Sequence, residues 1–179
     1  SKGVAGVPRA SLVVIAAIPL REDPRDALVC PAGYALGELP PGSRIGTGSA
    51  RRTAQLHALG LGFDIVPVRG NVDTRIRKAV EGEIDAVVLA RAGLLRLVRA
   101  EESTEGLDLV QMLPAPGQGA LAVECRAGDA ELRVRLAAIE HEASRRAVDA
   151  ERAFLAELGG DCSLPAAAPA TLLPSGALS

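Results

Sequence analysis

At 179 residues the chain is long enough to bury a sizeable core, in one ordinary domain or two small ones. Hydrophobic residues make up 48% and aromatics only 2%, so that core is aliphatic and the chain is globular, not disordered. A formal net charge of −2 speaks against a nucleic-acid binder acting through bulk charge, and two histidines and three cysteines without a CxxC pair leave no zinc-type cluster.

In chain order, the apolar run Leu12–Ile18 reads as a strand covered on both faces. The charged segment Arg21–Asp26, with Pro24 inside it, reads as a connector. Ala27–Cys30 reads as a short strand and Pro31–Gly42 as a loop with one helical turn. A regular alternation then begins, with strands over Arg44–Thr47, Phe63–Val68 and Ala86–Ala90. Helices over Ser49–Leu59, Val72–Val80 and Ala92–Arg99 fall between and after them. That alternation implies parallel strands with right-handed crossovers. Beyond the polar stretch Ala100–Leu107, strands are expected at Val110–Leu113 and Ala120–Cys125, separated by the tight turn Pro116-Gly117-Gln118-Gly119. Asp129–Ala138 and Glu142–Leu158 fit helices, the second with an apolar stripe of Ala147, Ala150, Phe154 and Leu158 and a Gly159-Gly160 stop. No apolar run reaches the length of a membrane helix, no leader is visible, and the cysteines make no even disulfide framework. The expected compartment is therefore the cytoplasm.

The stretch Gly46-Thr47-Gly48-Ser49-Ala50-Arg51-Arg52 leaves a strand and opens a helix. Backbone N–H groups and the positive end of the helix dipole converge there, and two guanidinium groups follow, which makes an anion site for carboxylate or phosphate. Plain helix capping by Ser49 or Thr47 with solvated arginines is the competing reading. It is not a Walker loop, because the Gly-Lys-Ser/Thr ending is missing. Val68-Arg69-Gly70-Asn71-Val72-Asp73-Thr74-Arg75 repeats the strand-to-helix passage, and a third strand end leads to Arg91 and Arg96. In a parallel sheet these loops share the carboxyl edge, where ligands bind. Lys2 and Lys78 are the only lysines. Arginines gathered at one edge suit a ligand with several carboxylates, each taking a bidentate pair.

The phrases REDPRDAL, RIGTGSARRTAQL, VRGNVDTRIRK, GEIDAVVLARAGLLRL, LPAPGQGALAVECR and AERAFLAELGGDCSLP occur in this order. Together, from about Ile15 to Pro165, they closely resemble the hydroxymethylbilane synthase (porphobilinogen deaminase) family. The resemblance implies a transferase of tetrapyrrole biosynthesis. Such an enzyme joins four porphobilinogen molecules head to tail, releasing ammonia each time, on a dipyrromethane cofactor held by a cysteine thioether. It also implies a type II periplasmic-binding-protein-like α/β fold. Residues 23–113 would be domain 2, residues 1–22 and 114–138 a remnant of domain 1, and residues 139–179 the start of a small α+β domain 3. Cys162, in Gly160-Asp161-Cys162-Ser163-Leu164-Pro165, is the implied cofactor anchor. Thr47, Ser49, Arg51, Arg52 and Arg75 are implied in cofactor binding, and Arg69 and Arg96 in substrate binding. The implied partners are porphobilinogen and the growing polypyrrole, with no metal, nucleic acid or membrane, and the implied state is a monomer.

Arg91 is not carried over and is expected as a solvated helix charge. Gln118 lines the hinge region by analogy, with a purely structural turn as the competing reading. Cys30 and Cys125 are expected in the core, and His57 and His141 on helix surfaces. Gly48 stands where the family usually has serine. The family's catalytic aspartate lies in a Ser-x-Lys-Asp-x-Pro motif, whereas Ser1–Pro8 here holds no acidic residue. The chain is thus expected to be a partial or degenerate copy of the enzyme, with a non-catalytic α/β module binding small polycarboxylates as the alternative.

Overall fold

A computed structural model of the chain describes residues 13–159, 166–170, 173 and 177. The strands are β1 (Val13–Ala17), β2 (Asp26–Val29), β3 (Arg44–Thr47), β4 (Asp64–Pro67), β5 (Ala86–Ala90), β6 (Glu105–Gly106) and β7 (Val123–Arg126). The helices are α1 (Ala50–Ala58), α2 (Val72–Val80), α3 (Arg91–Arg96), α4 (Ala130–Leu136) and α5 (Glu142–Glu157). Two compact units form. One holds residues 13–22, 120–150, 170, 173 and 177, and the other residues 23–119, 151–159 and 166–169.

The second unit is built on a five-stranded sheet in the order β4-β3-β5-β2-β6. β3 runs parallel to β4 and β5, while β2 runs antiparallel to both β5 and β6. The sheet is therefore mixed, with β2 reversed among strands that otherwise share one direction. This is the arrangement expected of a type II periplasmic-binding-protein-like domain. The crossovers β3-α1-β4 and β4-α2-β5 make its parallel part, and β2 makes its antiparallel part.

Strand side chains alternate between faces, so each strand feeds two cores. Ala27, Val29, Val87 and Leu89 pack with Ile76 and Ala79 of α2 and Leu94 of α3. Leu28, Ala86, Val88 and Ile45 pack with Leu56 of α1, Leu107 and Met112. β2 is buried along its whole length, which explains its unbroken apolar run after Asp26. Gly46 in β3 is required by closeness. A Cβ there would lie 2.5 Å from Ile84 Cδ1 and 2.8 Å from Val68 Cγ2. Helix starts follow local chemistry: Asn71 Oδ1 accepts the Thr74 N–H at 2.9 Å, and Ser49 Oγ accepts the Arg52 N–H at 3.4 Å.

Three expectations fail here. Val110–Leu113 is turn and coil, not a strand, because Leu107 and Met112 anchor the segment into the core while Val110 is 94% exposed. The strand instead comes earlier, at β6 within the polar stretch, where two residues pair with β2. The apolar strand near Cys125 begins only at Val123.

In the first unit β1 pairs antiparallel with β7 in a two-stranded sheet, with an irregularity between Ile15 and Ala17. β1 is not covered on both faces: burial is complete only at Ala17 and, just beyond, Ile18. Cys125 is buried there, as Cys30 is in the second unit. The Ile18 N–H donates to Glu140 Oε2 at 2.8 Å, and Arg145 Nε donates to Glu140 Oε1 at 2.7 Å. Of the α5 stripe, Ala147 is buried while Phe154 and Leu158 are about half exposed. His141 is not an idle helix-surface residue. It precedes α5, and its Nδ1 accepts the Ser144 N–H at 3.3 Å.

Candidate functional site

Parallel pairing brings the carboxyl ends of β3, β4 and β5 to one edge, with Thr47 opposite Pro67 in the register. The reversed strand β2 starts at that same edge, since Asp26 stands opposite Ala90. The edge thus gathers the β3–α1, β4–α2 and β5–α3 passages and the first residue of β2. Of the site arginines expected from the sequence, Arg51 and Arg52 open α1, Arg69 lies in the β4–α2 passage, Arg75 stands in the second turn of α2 and Arg96 ends α3; Cys162 lies outside the described residues.

Arg51 and Arg52 do not stand as solvated forks. They are 4% and 8% exposed and share one carboxylate, that of fully buried Asp26. Arg51 Nη2 lies 2.7 Å from Asp26 Oδ2, and Arg52 Nη2 lies 2.7 Å from Asp26 Oδ1. Arg51 also donates to the Leu113 carbonyl and to Gln118 Oε1, and Arg52 donates to the Val88 carbonyl at 3.2 Å. Gln118 completes the knot: its Nε2 donates to Asp26 Oδ1 at 2.8 Å and to the Pro24 carbonyl at 2.6 Å. Gln118 is therefore more than a turn residue. Burial pulls the Arg51 guanidinium below its usual value, Asp26 opposes that pull, and the neighbouring Arg52 charge adds to it. Both Nε atoms are buried without a hydrogen-bond partner.

The remaining arginines are open. Arg69 is exposed and lines a cavity of about 460 Å³ together with Lys78 and Glu83. Arg75 is half-buried, with Nε donating to the Gly70 carbonyl at 2.8 Å, and exposed Arg96 donates to the Gly119 carbonyl at 2.6 Å. Arg91 is not a solvated charge: its Nε lies 3.0 Å from Asp23 Oδ2, the carboxylate that also holds Arg25 at 2.7 Å. Thr47 is buried at the end of β3 and its Oγ1 accepts the Ser49 N–H at 3.2 Å. Gly48 is a close approach, since a Cβ there would lie 2.8 Å from the Val68 carbonyl oxygen. The serine usual in the family would push on that backbone. His57 is exposed, as expected.

Sequence reading missed three carboxylates. Asp26 binds both buried arginines, Glu151 accepts the Gly117 N–H at 2.5 Å, and Asp73 pairs with Arg99. Asp26 carried one signal, a charge immediately before the fully apolar Ala27-Leu28-Val29. At the opposite edge of the sheet, a cavity of about 490 Å³ is lined by Cys30, Tyr34, Leu39, Ser43 and Asp85 among others. It gathers no cationic cluster; Asp85 is paired with Arg44. The chemistry of the molecule therefore concentrates at the carboxyl edge, where cationic donors suit carboxylates. Among the described residues no helix is long and apolar enough to cross a membrane, and no cluster of His, Cys, Asp and Glu fits a metal ion.

The porphobilinogen deaminase of Nocardia farcinica is 60% identical over 162 residues, covering 90% of this chain and 47% of that protein. That of Mycobacterium avium is 58% identical over 161 residues, covering 90% of this chain and 51% of the relative. The chain spans about half the length of the curated relatives it matches. Among solved structures, a Bacillus subtilis lipoprotein assigned as methionine-binding aligns with a TM-score of 0.48 at 14% identity, over 75% of this chain and 64% of that one. Residues 6–134 match the dipyromethane cofactor binding domain of porphobilinogen deaminase, and the chain belongs to that family.

Proposed function

We propose that this chain is the cofactor- and substrate-binding portion of a hydroxymethylbilane synthase, which deaminates and polymerises four porphobilinogen molecules head to tail. The observation that supports this reading best is the gathering of Arg51, Arg52, Arg69, Arg75 and Arg96 at one edge of a mixed sheet. The donor set fits a dipyrromethane: its acetate and propionate side chains call for several cationic donors, and two buried Nε groups here lack an acceptor. When bound, the dipyrromethane supplies the pyrrole end to which successive substrate units are joined.

The chain's own residues bind and orient. Arg51, Arg52 and Arg75, with Thr47 and Ser49, are assigned to the cofactor carboxylates, and Arg69 and Arg96 to those of the incoming porphobilinogen. Cys162 is assigned as the thioether anchor. Each unit added brings further carboxylates, so a cationic edge attracts the product more strongly as it grows. Residues 23–113 serve as domain 2 in this reading, residues 1–22 and 114–138 as part of domain 1, and residues 139–179 as the opening of domain 3. The protein is read as a cytoplasmic monomer without nucleic-acid or membrane partners.

Intact-mass measurement and a pyrrole colour reagent test the reading. A dipyrromethane adduct on the parent chain, lost in Cys162→Ser, is the expected result, together with binding of porphobilinogen. Absence of both the adduct and the binding would sink it.

A further inference from the structure

Two consecutive residues of a helix project about 100° apart, yet Arg51 and Arg52 converge on one carboxylate. Two guanidinium groups that lie at least nine-tenths out of solvent repel one another and lose hydration, an arrangement that persists only with a counter-charge between them. Asp26 is that counter-charge. It is fully buried, and its oxygens accept from Arg51, Arg52 and Gln118 at 2.7 to 2.8 Å. One carboxylate against two guanidinium groups leaves the knot with a surplus positive charge, and neither arginine Nε has an acceptor. The knot is stable enough to hold its arginines in place but incompletely satisfied, which is the condition of a site awaiting an anion.

We propose that Asp26 is the positioning residue of the anion site, a buried carboxylate on the reversed strand β2 that fixes Arg51 and Arg52 for ligand carboxylates. The inference rests on the reading of this edge as a carboxylate-binding site. Asp26 does not touch the ligand; it acts through the two guanidinium groups. β2 thereby contributes to the site through its first residue. Gln118 supports the arrangement by donating to Asp26 and accepting from Arg51 with the two ends of one amide.

The test is binding of a free dipyrromethane bearing acetate and propionate side chains to the full chain by calorimetry, well below the melting temperature, with folding checked by circular dichroism. Asp26→Asn keeps the shape and removes the charge. Its expected effect is a loss of affinity of about tenfold or more, since charge-assisted contacts lose their geometry. Combining Asp26→Asn with Gln118→Glu returns a carboxylate beside Arg51 Nη2, where Gln118 Oε1 now stands at 3.2 Å, and is expected to recover part of the affinity. A merely structural Asp26 would lower the melting temperature and leave the affinity of the folded chain alone. Affinity within twofold of the parent in Asp26→Asn, or a gain, would overturn the inference while leaving the functional reading intact. Failure of the parent to bind the dipyrromethane overturns both. Should Asp26→Asn not fold, Gln118→Ala takes its place: a severalfold loss supports the positioning role, and unchanged affinity overturns it.

Discussion

The arginines at the carboxyl edge divide into two groups that the sequence presents alike. Arg51 and Arg52 are buried, share Asp26, and are tied to the Leu113 and Val88 carbonyls. Arg69 and Arg96 are exposed and Arg75 is half-buried; Arg75 and Arg96 are each steadied by a backbone carbonyl. The difference is one of environment, not residue type. A guanidinium beside water keeps its charge at little cost and is free to meet a ligand, but contributes little to stability. A buried one is part of the fold, and disturbing it disturbs everything it is bonded to. The same edge thus joins a buried, ion-paired floor to an open charged rim.

The largest expected effect comes from breaking the floor. Asp26→Ala leaves two buried cations without their counter-charge and is expected to lower unfolding free energy by about 3–5 kcal/mol. Urea denaturation monitored by circular dichroism checks this, and a loss below about 1 kcal/mol would mean the knot is not integral to the fold. Next comes the backbone between the two groups. Gly48→Ser restores the residue usual in the family but sets a Cβ 2.8 Å from the Val68 carbonyl oxygen, so the β4–α2 passage must yield. An overpacking loss of about 1–3 kcal/mol is expected by the same measurement.

Much of this fold was legible because its local signals agree with its tertiary context. Strands at Arg44–Thr47 and Ala86–Ala90 and the helix at Val72–Val80 stand where periodicity and turn residues predict them. The reversal of β2 was not legible, because strand direction depends on partners 60 residues away, as in the pairing of Leu28 with Val88. Asp26 was hidden for the same reason: within Arg21–Asp26 it looks like one more solvated charge, and only the reversed strand carries it to Arg51. The β6 pairing spans two residues and leaves no period to read. Val110–Leu113 shows the opposite error, an apolar run that two buried anchors, Leu107 and Met112, fix without any ladder.

Perturbing the rim is expected to separate binding from stability. Arg69→Ala and Arg96→Ala should each change unfolding free energy by less than about 0.5 kcal/mol. Porphobilinogen affinity should fall roughly ten- to hundredfold, corresponding to about 1.5–3 kcal/mol for a lost charge-assisted contact. Urea denaturation checks the first part and calorimetry at low and high salt the second, because contacts made in water weaken as salt rises. Unchanged affinity in both variants would remove the rim from the site and leave the floor alone.

Asp23 stands between the two groups and yields the smallest effect. Its carboxylate, 20% exposed, holds Arg25 and Arg91 together. The Arg25 side chain donates to it and lowers its pKa below the ordinary 3.8; burial opposes this, while the Arg25 N–H and the charges of Arg25 and Arg91 add to the lowering. A carboxylate whose pKa is lowered on folding adds stability above its unfolded value. That contribution is lost as pH falls through the lower, folded value. Stability should therefore be insensitive to Asp23 ionisation near neutrality and should decline below about pH 4, with Asp85 and Glu140, lowered likewise by Arg44 and Arg145, declining alongside. In Asp23→Asn the decline should be shallower, because one of the three titrating contacts has gone while the other two remain. Urea midpoints measured from about pH 6 to pH 3 distinguish the slopes. Parallel curves for parent and variant would show that Asp23 pairs with its arginines without favouring its charged form, and would place Arg91 with the open rim.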